Sequence, residues 1–439
     1  MMEMEKMPVG KLLLKLSPPV MLALLIQSIY NIVDSFFIGR YAAEGLTALS
    51  VIYPLQLLIT SVATGTGAGI GILVSRLDGE GKEAGVFIRN GLLTGVLNYI
   101  LFAAAGMLVL RPYFAVSSDN PLVREMGVSY GGIVILFSAG CFIESNCSKI
   151  LQARGNTLLP MAAQVLGARL NIVLDPVLIF GLFGCPEMGV AGAAIATVAG
   201  QWAAMAVTLT AVLRGHKRSG KASLRAIGRI YRCGLPSIFM QSLYTLYIIG
   251  LNLILAGFTE DAVTVLGIYY KLQAFFFIPL MGLQQVILPV ISFNHGAGLE
   301  SRVRETVKWA VGISVAVAGA GTAVFLAAPE ALLRIFSQSE GVLAAGVTAL
   351  RIIGTSFVPA GIGMMLTVYF QGVGKGAQSM LLTLVRQVFL LVPVAWALHF
   401  FGLTFVWLTF PITEVAVLVL CAVLWKRQDV GRTAVRVHA

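Results

Sequence analysis

The sequence predicts an all-α protein that crosses a membrane as twelve transmembrane helices in two lobes of six. Three observations predict it: an excess of apolar residues, their grouping into span-length runs, and a pattern written twice along the chain. Hydrophobic residues make up 58% of the 439 positions and charged residues only 12%, with a mean hydropathy of +0.88. A water-soluble chain of this length cannot hide so much apolar surface, so lipid is the solvent. This also sets aside a nucleic-acid binder, because the net charge of +11 is accounted for by topology.

Twelve apolar runs lie near 12–37, 46–75, 89–110, 128–150, 157–183, 189–213, 230–257, 264–293, 307–328, 343–371, 378–399 and 403–425. Gly and Pro inside them suit membrane helices, and the ten-residue alternation of a membrane β-barrel is missing. The first run is too long for a cleaved signal peptide. Lys and Arg gather before the first run, around 76–89, in RGHKRSGKASLRAIGRIYR (214–232), around 302–308 and after the last run. With alternating spans these all fall on one side, which places both termini in the cytoplasm. The 214–232 stretch reads as a connector facing lipid headgroups. The five cysteines and four histidines are dispersed without metal-ligand spacing, so no cofactor or metal is expected. Prolines 54, 279, 359 and 411 are expected to kink their helices.

The duplication appears in LTALSVIYPLQ (46–56) and VTVLGIYYKLQ (263–273). The same register pairs Ser75 with Ser292, Gly79 with Gly296, Arg169 with Arg386 and Pro176 with Pro393. One residue of slippage pairs Pro18 with Pro236, Asp34 with Asn252 and Gly39 with Gly257. The expected lobes are 1–214 (helices 1–6) and 230–439 (helices 7–12), with 215–229 as a basic cytoplasmic linker. Six is even, so the lobes share one topology and are related by an axis along the membrane normal, as in transporters that rock about a central site.

Several stretches carry a resemblance in their order: YNIVDSFFIGR (30–40), GAGIGILVSRLDGEG (67–81), ILQARGNTLLPM (150–161), LNIVLDPVLIFG (170–181) and GLQQVILPVISFNHGAG (282–298). Over its whole length the chain resembles the multidrug and toxic compound extrusion (MATE) family, in its bacterial multidrug-exporter branch. The GTGAGIG run (65–71) follows no strand and reads as close helix packing, not as a nucleotide loop.

An ionised carboxylate inside a bilayer costs at least ~2.5–3.5 kcal/mol, so each one needs a reason. Depth pairs some of them. Glu144 and Arg169 flank one hairpin turn at similar distances, and so do Arg386 and Glu414. At 1.5 Å per residue this predicts two structural ion pairs, one per lobe. Lys271 has no evident partner. Asp34 lies roughly 30 Å beyond Lys15 and Asp175 roughly 30 Å beyond Arg154, both in the outer half of the membrane and both without a cation. Asn171 is one turn below Asp175 on the same face. Pro176 leaves the carbonyl of Ile172 without its usual donor.

In the family, the acid of the first span and the Asn/Asp pair of the fifth form the cation site, which the resemblance implies for Asp34, Asn171 and Asp175, with H⁺ or Na⁺ as coupling ion. It also implies polar contacts from spans four and six, here Asn146, Ser148, Thr197 and Gln201. Aromatic and methionine side chains, Tyr30, Phe36, Tyr53, Met240, Phe277 and Met281, are candidates to line a chamber for cationic or amphiphilic small molecules. The second lobe, with Asn252 in place of an acid, is expected to hold no coupling cation. The implied activity is secondary antiport by a monomer in the bacterial inner membrane, with lipid as its surroundings. The alternative is a flippase for lipid-linked saccharides on the same two-lobe bundle, which would want several unpaired cations. An intramembrane enzyme, for instance one using an aspartyl dyad, finds no motif.

Overall fold

A computed structural model describes residues 5–215 and 221–437. Residues 216–220 of the expected linker, His216 among them, and His438 lie outside the described residues. Every described element is a helix. In chain order they are α1 (Val9–Tyr41), α2 (Ala43–Gly79), α3 (Gly85–Ser117), α4 (Pro121–Leu136), α5 (Ala139–Ala153), α6 (Leu158–Phe180), a 3-10 turn (Leu182–Gly184) and α7 (Val190–Gly215). Then follow α8 (Leu224–Ala256), α9 (Glu260–Gly296), α10 (Glu300–Ala327), α11 (Pro329–Arg334), α12 (Glu340–Gly354) and α13 (Phe357–Gly372). The last are α14 (Gly376–Leu384), a π segment (Val385–Leu390), α15 (Leu391–His399), α16 (Leu403–Trp407) and α17 (Thr409–Val437).

Ten described helices, those over Gly376–His399 and Leu403–Arg427 each counted through an internal break, are long and apolar enough to cross a membrane, and two bent pairs bring the total to twelve. The bent pairs are α4 with α5 and α12 with α13, each turning by 44°. They stand at equivalent places in the two halves, and the sequence showed each as one uninterrupted run. No proline lies at the first break, while Pro359 stands four residues after Thr355 at the second and withholds its N–H there. Neighbouring side chains take up carbonyls next to both breaks: Trp202 Nε1 donates to the Phe137 carbonyl at 2.9 Å, and Thr322 Oγ1 to that of Gly354 at 2.8 Å. In lipid such donors must come from within the protein. Pro54 and Pro279 do lie inside helices. Pro359 and Pro411 fall in the first turns of α13 and α17, directly after the breaks at Thr355 and Leu408, and neither can donate to the carbonyl four residues before it.

The chain divides into two compact units. Unit 1 is Met1–Gln241 with Ser292–Leu299, and unit 2 is Ser242–Ile291 with Glu300–Ala439. The divisions fall inside α8 and α9. Unit 1 therefore includes the first half of α8 and the end of α9, beside α1–α7. It is joined through glycines: a Cβ on Gly79 would collide with the Phe293 carbonyl, and one on Gly296 with that of Arg76. These two glycines are equivalent in the duplication, and each lets its helix backbone touch the other's.

Candidate functional site

The site in unit 1 grows from the buried stripe of α6. Pro160, Ala163, Gly167, Asn171, Asp175 and Ile179 are all buried along it, the i, i+3, i+4 spacing of one helix face. Gly167 and Gly200 of α7 oppose one another so closely that a Cβ on either would strike the other's carbonyl. That approach lets Thr197 of α7 reach the α6 stripe. Asn171 Nδ2 donates to Asp175 Oδ1 at 3.2 Å and to Thr197 Oγ1 at 3.4 Å. From α1, Asp34 is 7% exposed and lies within Coulombic range of Asp175. Tyr130 of α4 closes the group: its hydroxyl accepts from Gln56 Nε2 at 3.3 Å, and it lies within Coulombic range of Asp34.

What this arrangement lacks is donors. Asp34 Oδ1, Asn171 Oδ1, Asp175 Oδ2 and Gln201 Oε1 are buried oxygens without a hydrogen-bond partner. A buried acceptor left unmade costs ~1–3 kcal/mol. Several together form a place where a small positive charge is stabilised by oxygens. Among the described residues no three His, Cys, Asp or Glu converge.

Of the other predicted contacts, Asn146 is buried and donates to the Gly91 carbonyl at 2.8 Å. Ser148 bonds Glu144. Tyr30, one turn before Asp34 on α1, lies within Coulombic range of Asp34 and Glu144. Phe277 is buried edge-on against Phe357 with ring centres 5.2 Å apart, a packing role. Phe36, Tyr53 and Met281 are exposed, and Met240 is half-buried. Tyr130, Gln56 and Lys149 escaped the sequence reading; Gln56 is a lone amide in an apolar run, Tyr130 and Lys149 each follow a serine, and only packing shows what they face.

The ion pairs need one correction. Arg386 Nε donates to Glu414 Oε1 at 2.7 Å, both from unit 2, with Tyr247 and Tyr269 beside the pair. Glu144 and Arg169 do not pair. Arg169 is exposed, and Glu144 instead faces Ser148 and Lys149 of its own helix. The reason is azimuth: Arg169 stands two residues from Asn171, ~200° around the helix, so equal depth did not bring it to the same side. Lys271 has a partner of another kind, sitting over the Phe336 ring at 5.7 Å.

The MatE family model matches twice, over residues 19–177 and 236–397. Among curated proteins the chain is 26% identical to a FAD transporter of Shewanella oneidensis, over 96% of this chain and 95% of that protein. It is also 26% identical to the multidrug export protein MepA of Staphylococcus aureus, over 91% and 90%. Among solved structures, a MATE transporter crystallised with MaL6 superposes with a TM-score of 0.90 at 23% identity, covering 98% of both chains. A MOP superfamily transporter from Pyrococcus furiosus gives 0.87 at 23% identity, over 98% and 97%. None of these favours the flippase reading. The chain belongs to the MatE family of multi-pass membrane transporters for small molecules, and it is not an enzyme.

Proposed function

We propose that this transporter exports organic cations and amphiphiles in exchange for H⁺ or Na⁺ taken up at Asp34, Asn171 and Asp175. The observation that carries the proposal is the group of buried oxygens on these three residues that lack donors. A carboxylate there is stable only with a positive charge beside it, whether the driving ion or the cargo. One charge arriving as the other departs is the exchange that antiport requires, and the two ligands must favour different states of the protein. The proposed setting is the bacterial inner membrane with both termini cytoplasmic, supported by the Lys/Arg asymmetry of the connections. The proposed working form is a monomer of two lobes, 1–214 and 230–439, joined by the basic linker.

The test uses proteoliposomes and ethidium, a permanent cation that a pH gradient cannot trap by itself. Accumulation against its gradient is expected with either a pH gradient alone or a Na⁺ gradient alone. Wild-type protein that accumulates ethidium under neither gradient would overturn the proposal.

A further inference from the structure

The first turns of α8, within unit 1, present a surface that the cation site does not use. Ala226, Ile230 and Cys233 follow at i, i+4 and i+7 and pack with Phe87 of α3 in the core. One residue earlier, and so ~100° around the helix, Arg225, Arg229 and Arg232 form a parallel row, all exposed. Beside that row runs an apolar one, Leu224, Gly228 and Leu235, on a single line at i, i+4 and i+11. Leu224 is 88% exposed and Leu235 40%, and a Cβ on Gly228 would meet nothing within 4 Å. Guanidinium heads thus lie alongside an apolar strip with a gap at its middle.

The chain entering α8 is tied to α3 by Asn90, which is buried. Its Oδ1 accepts from the Ser223 amide at 2.9 Å, and its Nδ2 donates to the Lys221 carbonyl at 3.4 Å. Arg229 rests over the Phe87 ring, 5.0 Å from its centre. A guanidinium stacked by its face keeps its planar N–H edge for an anion. The fold supplies no such anion. The first turn of α8 has no acid, and a helix N-terminus already carries the positive end of the dipole, so Arg225 is unfavourable there by itself. Glu80, which lies within Coulombic range of Arg229, is bonded by Lys82 at 2.7 Å and stands 3.7 Å from Arg76. Among the described residues none of the three arginines is joined to a carboxylate.

We infer that this face of α8 binds an anionic phospholipid, with Arg225, Arg229 and Arg232 on its headgroup phosphate and an acyl chain along Leu224, Gly228 and Leu235. A basic cluster at the end of a membrane helix attracts anionic headgroups, and the apolar row beside it is what selects a lipid. A free phosphate would use the guanidiniums and leave the leucines bare. A zwitterionic lipid would bring its own ammonium to a row that is already positive. Such a site is independent of which ion drives transport.

The experiment titrates dioleoyl phosphatidylglycerol into the full chain in dodecyl maltoside and reads the melting temperature, which rises as a ligand of the folded state binds. Phosphatidylglycerol is expected to raise it by several degrees, and phosphatidylcholine or inorganic phosphate to leave it within about a degree. Each basic side chain at an anionic headgroup is worth about fivefold in affinity, so replacing all three arginines by Gln is expected to raise the half-maximal lipid concentration about a hundredfold. A control removing three charges elsewhere, by Lys11→Gln, Lys426→Gln and Arg427→Gln, is expected to respond as wild type does. Gly228→Leu, whose side chain enters open space, is expected to fold normally and to weaken the response by filling the gap, which keeps the test decisive should the triple variant not fold. An unchanged response in the triple variant or in Gly228→Leu, or an equal loss in the charge control, overturns the site. A response to phosphatidylcholine equal to that to phosphatidylglycerol overturns the anionic headgroup, and one to inorganic phosphate alone overturns the lipid.

Discussion

Asp34 and Glu414 are both buried acids in apolar helices, and their surroundings differ in one respect that decides their chemistry. Glu414 has a guanidinium bonded to it, while Asp34 has an oxygen without any partner. The first charge is compensated by the fold itself; the second is compensated only by something that arrives. Asp34→Asn keeps the shape and removes the charge, so a folded, inserted protein is expected that no longer accumulates ethidium uphill. Asp175→Asn is expected to behave in the same way. Asn171→Ala, which removes the amide bridging Asp175 and Thr197, is expected to weaken uphill transport several-fold without abolishing it. Efflux from cells carrying equal amounts of each variant checks all three.

Two helices equivalent by duplication diverge in a way that reorients their arginines. α6 runs as an unbroken α-helix from Leu158 to Phe180 and leaves Arg169 exposed. Its counterpart contains the π segment Val385–Leu390, whose end is marked by the Leu391 amide bonding back to the Arg386 carbonyl. Pro393 follows directly, unable to donate to residue 389, and Thr409 Oγ1 takes the Leu391 carbonyl at 2.9 Å. A π turn inserts one residue and shifts the azimuth of its neighbours, and here it accompanies the docking of Arg386 on Glu414. Removing one partner of a buried pair typically costs ~3–5 kcal/mol, because a charge is stranded. Arg386→Gln and Glu414→Gln are each expected to lower the melting temperature markedly, and the double variant to recover most of the loss. Arg169→Gln, which strands nothing, is expected to leave it within about a degree or two of wild type.

Across the whole chain the duplication preserved the scaffold and divided the chemistry. Both halves carry a bent span at the same place, and both retain the glycine pair Gly79 and Gly296. Of the two first-span positions, only Asp34 is an acid; Asn252 stands in the other half, where the buried carboxylate already holds its own arginine. Asn252→Asp is therefore expected to leave the ion-to-ethidium stoichiometry unchanged, read from the gradient needed to balance a fixed ethidium gradient. A doubled stoichiometry would mean that unit 2 can complete an exchangeable site.

Much of this was legible in the amino-acid order. A lipid solvent leaves few choices, so apolar run length gave the spans, and the recurrence of LTALSVIYPLQ as VTVLGIYYKLQ gave the duplication. The juxtaposition of Asp34 with Asn171 and Asp175 was foreshadowed by the family resemblance and by their common depth. Depth along a helix is a count of residues and can be read from a sequence. The direction in which a side chain points depends on how neighbouring helices are rotated, and that is set by packing. Hence the depth argument succeeded for Arg386 and Glu414 and failed for Glu144 and Arg169, although the arithmetic was the same. The bends at Phe137 and Thr355 and the π segment have no signature in hydropathy, because donors from distant segments stabilise them. The chain's own order determined the solvent, the spans and the duplication; the tertiary structure alone decided which buried charges face a partner, because that depends on rotation about helix axes that one-dimensional spacing does not record.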